Sequence, residues 1–293
     1  MTAVADDAPS FGVLMFPTDY AVDPARLAGA VEARGFESLF FPEHTHIPAS
    51  RRSPWPGGAE LPREYWHTHD PFVALAMAAA VTSRLRLATG IALVTERDPI
   101  LMAKQVATLD HLSGGRLILG VGAGWNAEEM AHHGTAWGDR WRVLRERVLA
   151  MKTIWREEAP EFHGEFVDFE PLWSWPKPAR PGGPPVLVGA SSKYVFARIA
   201  EYGDGWMPID GRDDAALADG VRRLEDACGE AGRDFAAMDL TVFGVRGDPD
   251  RVASLLELGF RRIVFALPPA DADRVIGRLD ALAELAADFA PAA

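Results

Sequence analysis

Short apolar runs alternate along the chain with longer stretches in which apolar residues recur every three or four positions. Phe11 to Phe16 is a compact apolar strand ended by Pro17. Asp23-Pro24 supplies an N-cap and a first-turn proline for a helix carrying Leu27, Ala30, Val31 and Ala33, and Gly35 stops it. Ser38 to Phe41 is the second strand, which completes a β-α-β unit. The pattern then breaks from Glu43 to Asp70, where Pro48, Pro54, Pro56, Gly57, Gly58 and Pro62 forbid a long regular element and Trp55, Tyr65 and Trp66 supply aromatic surface. A loop this long inside a compact domain is functional or disordered in most cases.

Asp70-Pro71 reopens the alternation with a helix through Ala80. Leu85 to Ala88 is the third strand, with Thr89-Gly90-Ile91 at its end. Asp98-Pro99 caps a helix whose buried side is expected to carry Ile100, Leu101, Val106, Leu109 and Leu112. The fourth strand, Leu117-Ile118-Leu119, breaks into glycine at Gly120, Gly122 and Gly124 and ends at Trp125. Glycines there imply a backbone that something approaches closely. From Gly138-Asp139 a long helix places Trp141, Leu144, Val148, Met151 and Trp155 on one face. Glu161 to Phe169 reads as a hairpin around His163-Gly164, and Pro171 to Pro185 as an irregular connector. Strands at Val186 to Val188, Gly205 to Met207, Leu240 to Phe243 and Arg262 to Ala266 each precede a helix. The last helix, Asp271 to Phe289, turns Val275, Ile276, Leu279, Leu282 and Leu285 inward. Eight strands in strict alternation with helices predict a single-domain (β/α)8 TIM barrel over residues 1–293, with insertions after strand 2 and before strand 5.

Composition narrows the class. With 48% hydrophobic residues in 293, a sizeable core is available. The net charge of -12 argues against a nucleic-acid surface, which needs a basic patch. The single cysteine, Cys228, excludes an internal disulfide and suits a reducing compartment. The first ten residues lack the apolar segment of a signal peptide or anchor, and no run reaches the roughly 18 apolar residues of a membrane span. A cytoplasmic protein without membrane or nucleic-acid partners is expected.

In such a barrel, chemistry sits at the carboxyl ends of the strands. The glycine run invites a dinucleotide-fold reading. That fingerprint wants Gly or Ala at its last position; counting from Gly120 gives Trp125, and counting from Gly122 gives Ala127, but the strand comes fourth in the chain with no acidic-ended strand after it. No G-K-[S/T] follows, so it is no P-loop. Gly189-Ala190-Ser191-Ser192, between a strand and a helix, has the makings of a phosphate site or of a plain N-cap. The pairs His44-Thr45-His46 and His67-Thr68-His69 raise a barrel metallohydrolase. The strand ends lack the remaining ligands, so His46, His67 and His69 read as loop histidines and no metal is assigned. His44 stands just past strand two, where it can face the mouth and transfer protons, with Glu43 beside it to tune its tautomer or charge.

The chain from Phe11 to about Phe265 resembles the bacterial luciferase-like flavin and deazaflavin oxidoreductases. The matching strings are Glu43-His44, A-T-G-I at Ala88 to Ile91, D-P-I-L-M-A-K-Q-V-A-T-L-D at Asp98 to Asp110, L-S-G-G-R-L-I-L-G-V-G-A-G-W-N ending at Asn126, and E-Y-G-D-G-W ending at Trp206. The branch it most resembles is the probable coenzyme F420-dependent oxidoreductases. The resemblance implies a hydride transfer between coenzyme F420 and a small-molecule substrate, with FMN and oxygen as the alternative, and a homodimer. It implies that His44 lies beside the reactive ring carbon. Thr89, Gly90 and Ile91 would back the ring, often through a non-proline cis peptide at Gly90-Ile91. Gly122, Gly124, Trp125 and Asn126 would line the ring and ribityl chain, and Gly189, Ala190, Ser191 and Ser192 would hold the phosphate. Family members that act on sugars carry a Glu near the Trp125 position, and Trp cannot serve as an acid. A cofactor-storage protein without turnover is the reading outside enzymes. Arg51, Arg52 and Arg63 read as a solvated edge or as partners of an acidic cofactor tail.

Overall fold

Short apolar runs of two to seven residues become parallel strands that close on themselves. The computed structural model describes residues 8–190, 192–211 and 213–289. In chain order the barrel strands are β1 (Ser10–Leu14), β2 (Ser38–Phe41), β3 (Arg86–Thr89) with β4 (Ala92–Leu93), and β5 (Leu117–Gly122). A two-stranded antiparallel hairpin, β6 (Phe162–His163) and β7 (Asp168–Phe169), stands outside the barrel. Then come β8 (Val186–Val188), β9 (Gly205–Trp206), β10 (Asp239–Val245) and β11 (Arg262–Ala266). The order β3-β2-β1-β11-β10-β9-β8-β5 is closed by pairing of β3 with β5, where Leu87 faces Leu117 and Ala88 faces Ile118. This is the (β/α)8 barrel expected from the alternation.

Helices ring it: α1 (Pro24–Ala33), α2 (Glu64–His67), α3 (Pro71–Val81), α4 (Pro99–Ser113), α5 (Ala127–His132), α6 (Arg140–Arg156), α7 (Val195–Tyr202), α8 (Asp214–Glu230), α9 (Pro249–Glu257) and α10 (Ala272–Ala287). Aspartate caps open many of them. Asp23, Asp70, Asp98 and Asp248 each precede a proline and accept first-turn amides, which fixes where the chain leaves the barrel rim.

The lumen is filled rather than open. Phe40, Ala88, Ile118, Leu187, Met207 and Val264, one from each of six strands or strand ends, pack at its centre, with Leu14 and Ile91 partly exposed against them. Below, Arg262 is buried and bonds Glu37 and Asp239, tying the amino ends of β11, β2 and β10 together.

Two expectations change. The third strand is interrupted, with β3 and β4 flanking Gly90-Ile91, although the peptide there is cis, as the resemblance implied. On α4 the buried face is Met102, Ala103, Val106, Ala107 and Leu109, whereas Ile100, Leu101 and Leu112 face outward. The helix is apolar on both sides, so its inner face is set by the packing of α3 and α6 against it rather than by its own pattern.

Candidate active site

His44 follows β2 by three residues, and its side chain is only 6% exposed. Its Nδ1 lies 2.7 Å from Glu129 Oε2, and Trp125 Nε1 donates to its Nε2 over 3.3 Å. An indole N–H only donates, so Nε2 is the acceptor and the proton of the neutral ring sits on Nδ1, aimed at Glu129. The fully buried Glu129 accepts on its other oxygen from the backbone amides of Thr45 at 2.9 Å and His46 at 3.4 Å. Glu129 therefore fixes both the ring and the backbone beside it.

Glu43, expected to tune His44, does not reach it. Its buried carboxylate pairs with Arg97, which also bonds Asp70 Oδ2 at 2.6 Å, and accepts from the Leu93 amide at 2.7 Å. Neighbours along an extended segment point to opposite sides, so Glu43 turns into the wall while His44 turns to the mouth. The partner is supplied instead by α5, and Asn126-Ala127-Glu128-Glu129 carries the signal. Asn126 accepts from the Glu129 amide as an N-cap, the spacing of a capping box. The Glu129 carboxylate, however, leaves its own helix for His44.

The remaining predicted positions divide. Ile91, Gly124, Trp125, Gly189 and Ala190 are partly exposed. Thr89, Gly90, Gly122 and Asn126 are buried. The Thr89 hydroxyl donates to the Gly120 carbonyl at 2.7 Å, across the pairing that closes the barrel. The close approach announced by the glycines is made at Gly120 by the Thr89 carbonyl and Met207, and at Gly122 by Ile91. A Cβ on Gly122 would collide with its Cδ1, and one on Gly189 would lie 2.7 Å from its Cγ2. Gly124 has φ of +77°, the left-handed conformation that glycine adopts without penalty. Ser192 and Lys193 lie exposed before α7, and the Ala190 carbonyl accepts from Trp206 Nε1 at 2.8 Å. Ser191 lies outside the described residues.

The insertion after strand two closes over this centre. Tyr65 packs on His44 with ring centroids 5.2 Å apart and on Phe16 at 4.8 Å, while Trp55 meets Tyr65 edge-on. Burial raises the Tyr65 phenol above its ordinary value. The loop is latched to α5: Ser53 Oγ and the Ser53 amide donate to Glu128, Ser50 adds a bond at 3.3 Å, and Arg52 pairs at 3.3 Å. The Ser53 hydroxyl is the main cause that brings the Glu128 carboxyl down to about 2. Arg51 lies 6.0 Å from the Trp125 ring centre and Arg63 lies 4.4 Å from that of Tyr20.

Behind Glu129 stands Glu96, in the turn after β4. Burial, reinforced by the charges of Glu129 and Glu43, pushes its carboxyl up to about 9. His46 bonds His132 at 2.7 Å, and the Thr45 hydroxyl meets His133 Nε2 at 2.8 Å. Among the described residues no three His, Cys, Asp or Glu side chains converge as a metal site, and no helix is long and apolar enough to cross a membrane.

Residues 8–257 match the Luciferase-like monooxygenase family. The chain is 42% identical over 276 residues to uncharacterized protein Rv0953c of Mycobacterium tuberculosis, covering 93% of this chain and 97% of that one. It is 30% identical over 250 residues to the F420-dependent glucose-6-phosphate dehydrogenase of Nakamurella multipartita, covering 80% and 67%. The monooxygenase RslO1 from Streptomyces bottropensis superposes with a TM-score of 0.78 at 20% identity, over 94% of this chain and 98% of that one. With its barrel closed, its family match spanning most of its length and its aromatic mouth built from the strand ends, the chain belongs to the luciferase-like monooxygenase family.

Proposed function

We propose that the chain is an oxidoreductase that transfers a hydride between coenzyme F420 and a small organic substrate, with His44 moving the accompanying proton. One observation carries this reading: Glu129 holds His44 Nδ1 from behind, while Nε2 meets the Trp125 indole in a long 3.3 Å contact that a substrate atom would replace. A ring held in one tautomer, with a carboxylate to stabilise its protonated form, is equipped to accept or donate a proton at Nε2.

The residues fit a flat, apolar ring with an anionic tail. Leu14 and Ile91 form a partly exposed apolar floor on the lumen cluster. The turn before α7 offers the Ser192 hydroxyl and the Lys193 ammonium to a phosphate. When bound, the deazaflavin supplies the hydride chemistry. The chain's own residues hold it, exclude water through Tyr65 and Trp55, and position His44. Because the Trp125 indole supplies no proton, the proposal does not extend to the sugar chemistry of the Nakamurella relative. The apolar outer face of α3, where Val73 and Val81 are 64% and 52% exposed, supports a homodimer.

Calorimetric titration of the apoprotein with coenzyme F420 and with FMN tests the cofactor. Binding of F420 with weaker retention of FMN is expected, and binding of neither overturns the reading. If FMN binds tightly instead, and its reduced form in the protein reacts rapidly with oxygen in stopped flow, the monooxygenase alternative replaces it.

A further inference from the structure

We propose that Glu96 is a positioning residue: it carries the one proton of a buried Glu96–Glu129 carboxyl pair, and that proton sets the charge facing His44. The inference rests on the function proposed for His44 and adds a residue that touches neither cofactor nor substrate.

The surroundings of Glu129 identify it as the ionised member. One oxygen accepts from His44 Nδ1 and the other from two backbone amides, all donors. Glu96 is also buried, and its Oε2 lies 3.5 Å from the Thr45 hydroxyl, which lies 3.4 Å from Glu129 Oε1. Two carboxyls held this close in a low-dielectric wall do not both ionise near neutrality. With Glu129 surrounded by donors, the proton falls to Glu96, in agreement with the raised value of its carboxyl.

The charged and titratable groups around Glu96 come from every side. Glu129 projects from α5, Glu43 from the segment after β2, Arg97 from the next position in the chain, His133 from the end of α5, and Arg147 from α6, its guanidinium bonded to the Val94 carbonyl at 2.9 Å. Arg97 is tied to Glu43 and Asp70, so it does not neutralise Glu96. An anchor for the Thr45–His46 backbone needs only Glu129. The second carboxyl adds nothing to that anchor and controls charge instead.

Glu96 also has its own access to water. It lines a cleft of about 450 Å³ with His133, Arg147 and Phe166, and none of His44, Tyr65, Ile91 and Trp125 lines that cleft. Its proton can therefore exchange without crossing the mouth that cofactor and substrate would cover. While Glu96 is neutral, a doubly protonated His44 would face one negative charge and would give its Nε2 proton to the substrate atom that takes up the electron pair when the neighbouring atom accepts hydride. Once Glu96 ionises, two negative charges face the ring.

Infrared difference spectroscopy of the apoprotein across a pH titration tests this without any cofactor. The expected result is a protonated-carboxyl C=O band at neutral pH that is lost as pH rises through about 9, and that is absent in Glu96→Gln. In Thr45→Val, a surface change that removes the hydroxyl favouring the ionised form, the loss should shift to higher pH. The ¹⁵N shifts of His44 should change over the same range in the native protein and stay constant there in Glu96→Gln. A native protein with no such band at neutral pH, a band that persists in Glu96→Gln, or a loss unmoved in Thr45→Val overturns the proposal. Failure of F420 to bind would instead overturn the functional reading and leave these spectra unaffected.

Discussion

At the scale of single residues, the chemistry depends on which way neighbouring side chains turn. Glu43 and His44 are adjacent in sequence and separated in space. His44 and Glu129 are 85 positions apart and bonded. The sequence marked His44 by its place after a strand, and the glycines by their alternation. It did not mark Glu129, because a glutamate three positions after an N-cap ordinarily serves its own helix. Replacing His44 by Ala should lower kcat by about 10²–10⁴-fold, the usual weight of general acid–base catalysis, while the dissociation constant for F420 moves far less. Steady-state kinetics beside calorimetry decide it, and an unchanged kcat would remove the catalytic role. Glu96 also bears on stability. Its folded value is raised from 4.5 to about 9, so its contribution is complete below about 4.5 and disappears as pH rises through about 9.

At the scale of elements, strands bounded by turns on both sides were legible directly. Ser38–Phe41 and Arg262–Ala266 have the same ends in sequence pattern and structure. Elements too short to show a period were not. β4 has two residues, α2 four and α5 six, and each is held by tertiary contacts rather than by its own pattern. The insertion between β2 and α3 was legible as irregular, but its latch on Glu128 was not, because that bond joins residues about 75 positions apart. The latch has a definite pH sign. Glu128 is lowered from 4.5 to about 2, so the stability it contributes is present above about 4.5 and is lost as pH falls through about 2. Pepsin should therefore cut within residues 50–63 increasingly as pH drops across that window. Ser53→Ala, which removes the main cause of the lowering, should move the onset of cutting towards 4.5. An onset identical to that of the native protein would show that the latch does not hold the loop.

At the scale of the whole molecule, alternation predicted the barrel because each β-α unit must place its helix outside a parallel sheet, and eight such units close. Which helix faces stay uncovered is a property of assembly. α3 is apolar almost throughout, and Met77 is 42% exposed between Val73 and Val81. Light scattering of the native protein should report a dimer, and Met77→Glu should shift it towards monomer while circular dichroism stays unchanged. A native monomer would contradict the proposed assembly.

Ile91 has a consequence for how such a chain can change over time. Its side chain occupies space that two glycines on separate strands leave free, Gly122 at the end of β5 and Gly189 after β8. Each glycine is a concession to the same neighbour, so the three positions form one inherited unit. A lineage that gains a Cβ at 122 or 189 must first shrink or reshape residue 91. Once residue 91 is small, nothing in the packing keeps either glycine. Substitutions at these sites should arrive together and in that order, so the floor of the mouth would be replaced as a block rather than one residue at a time.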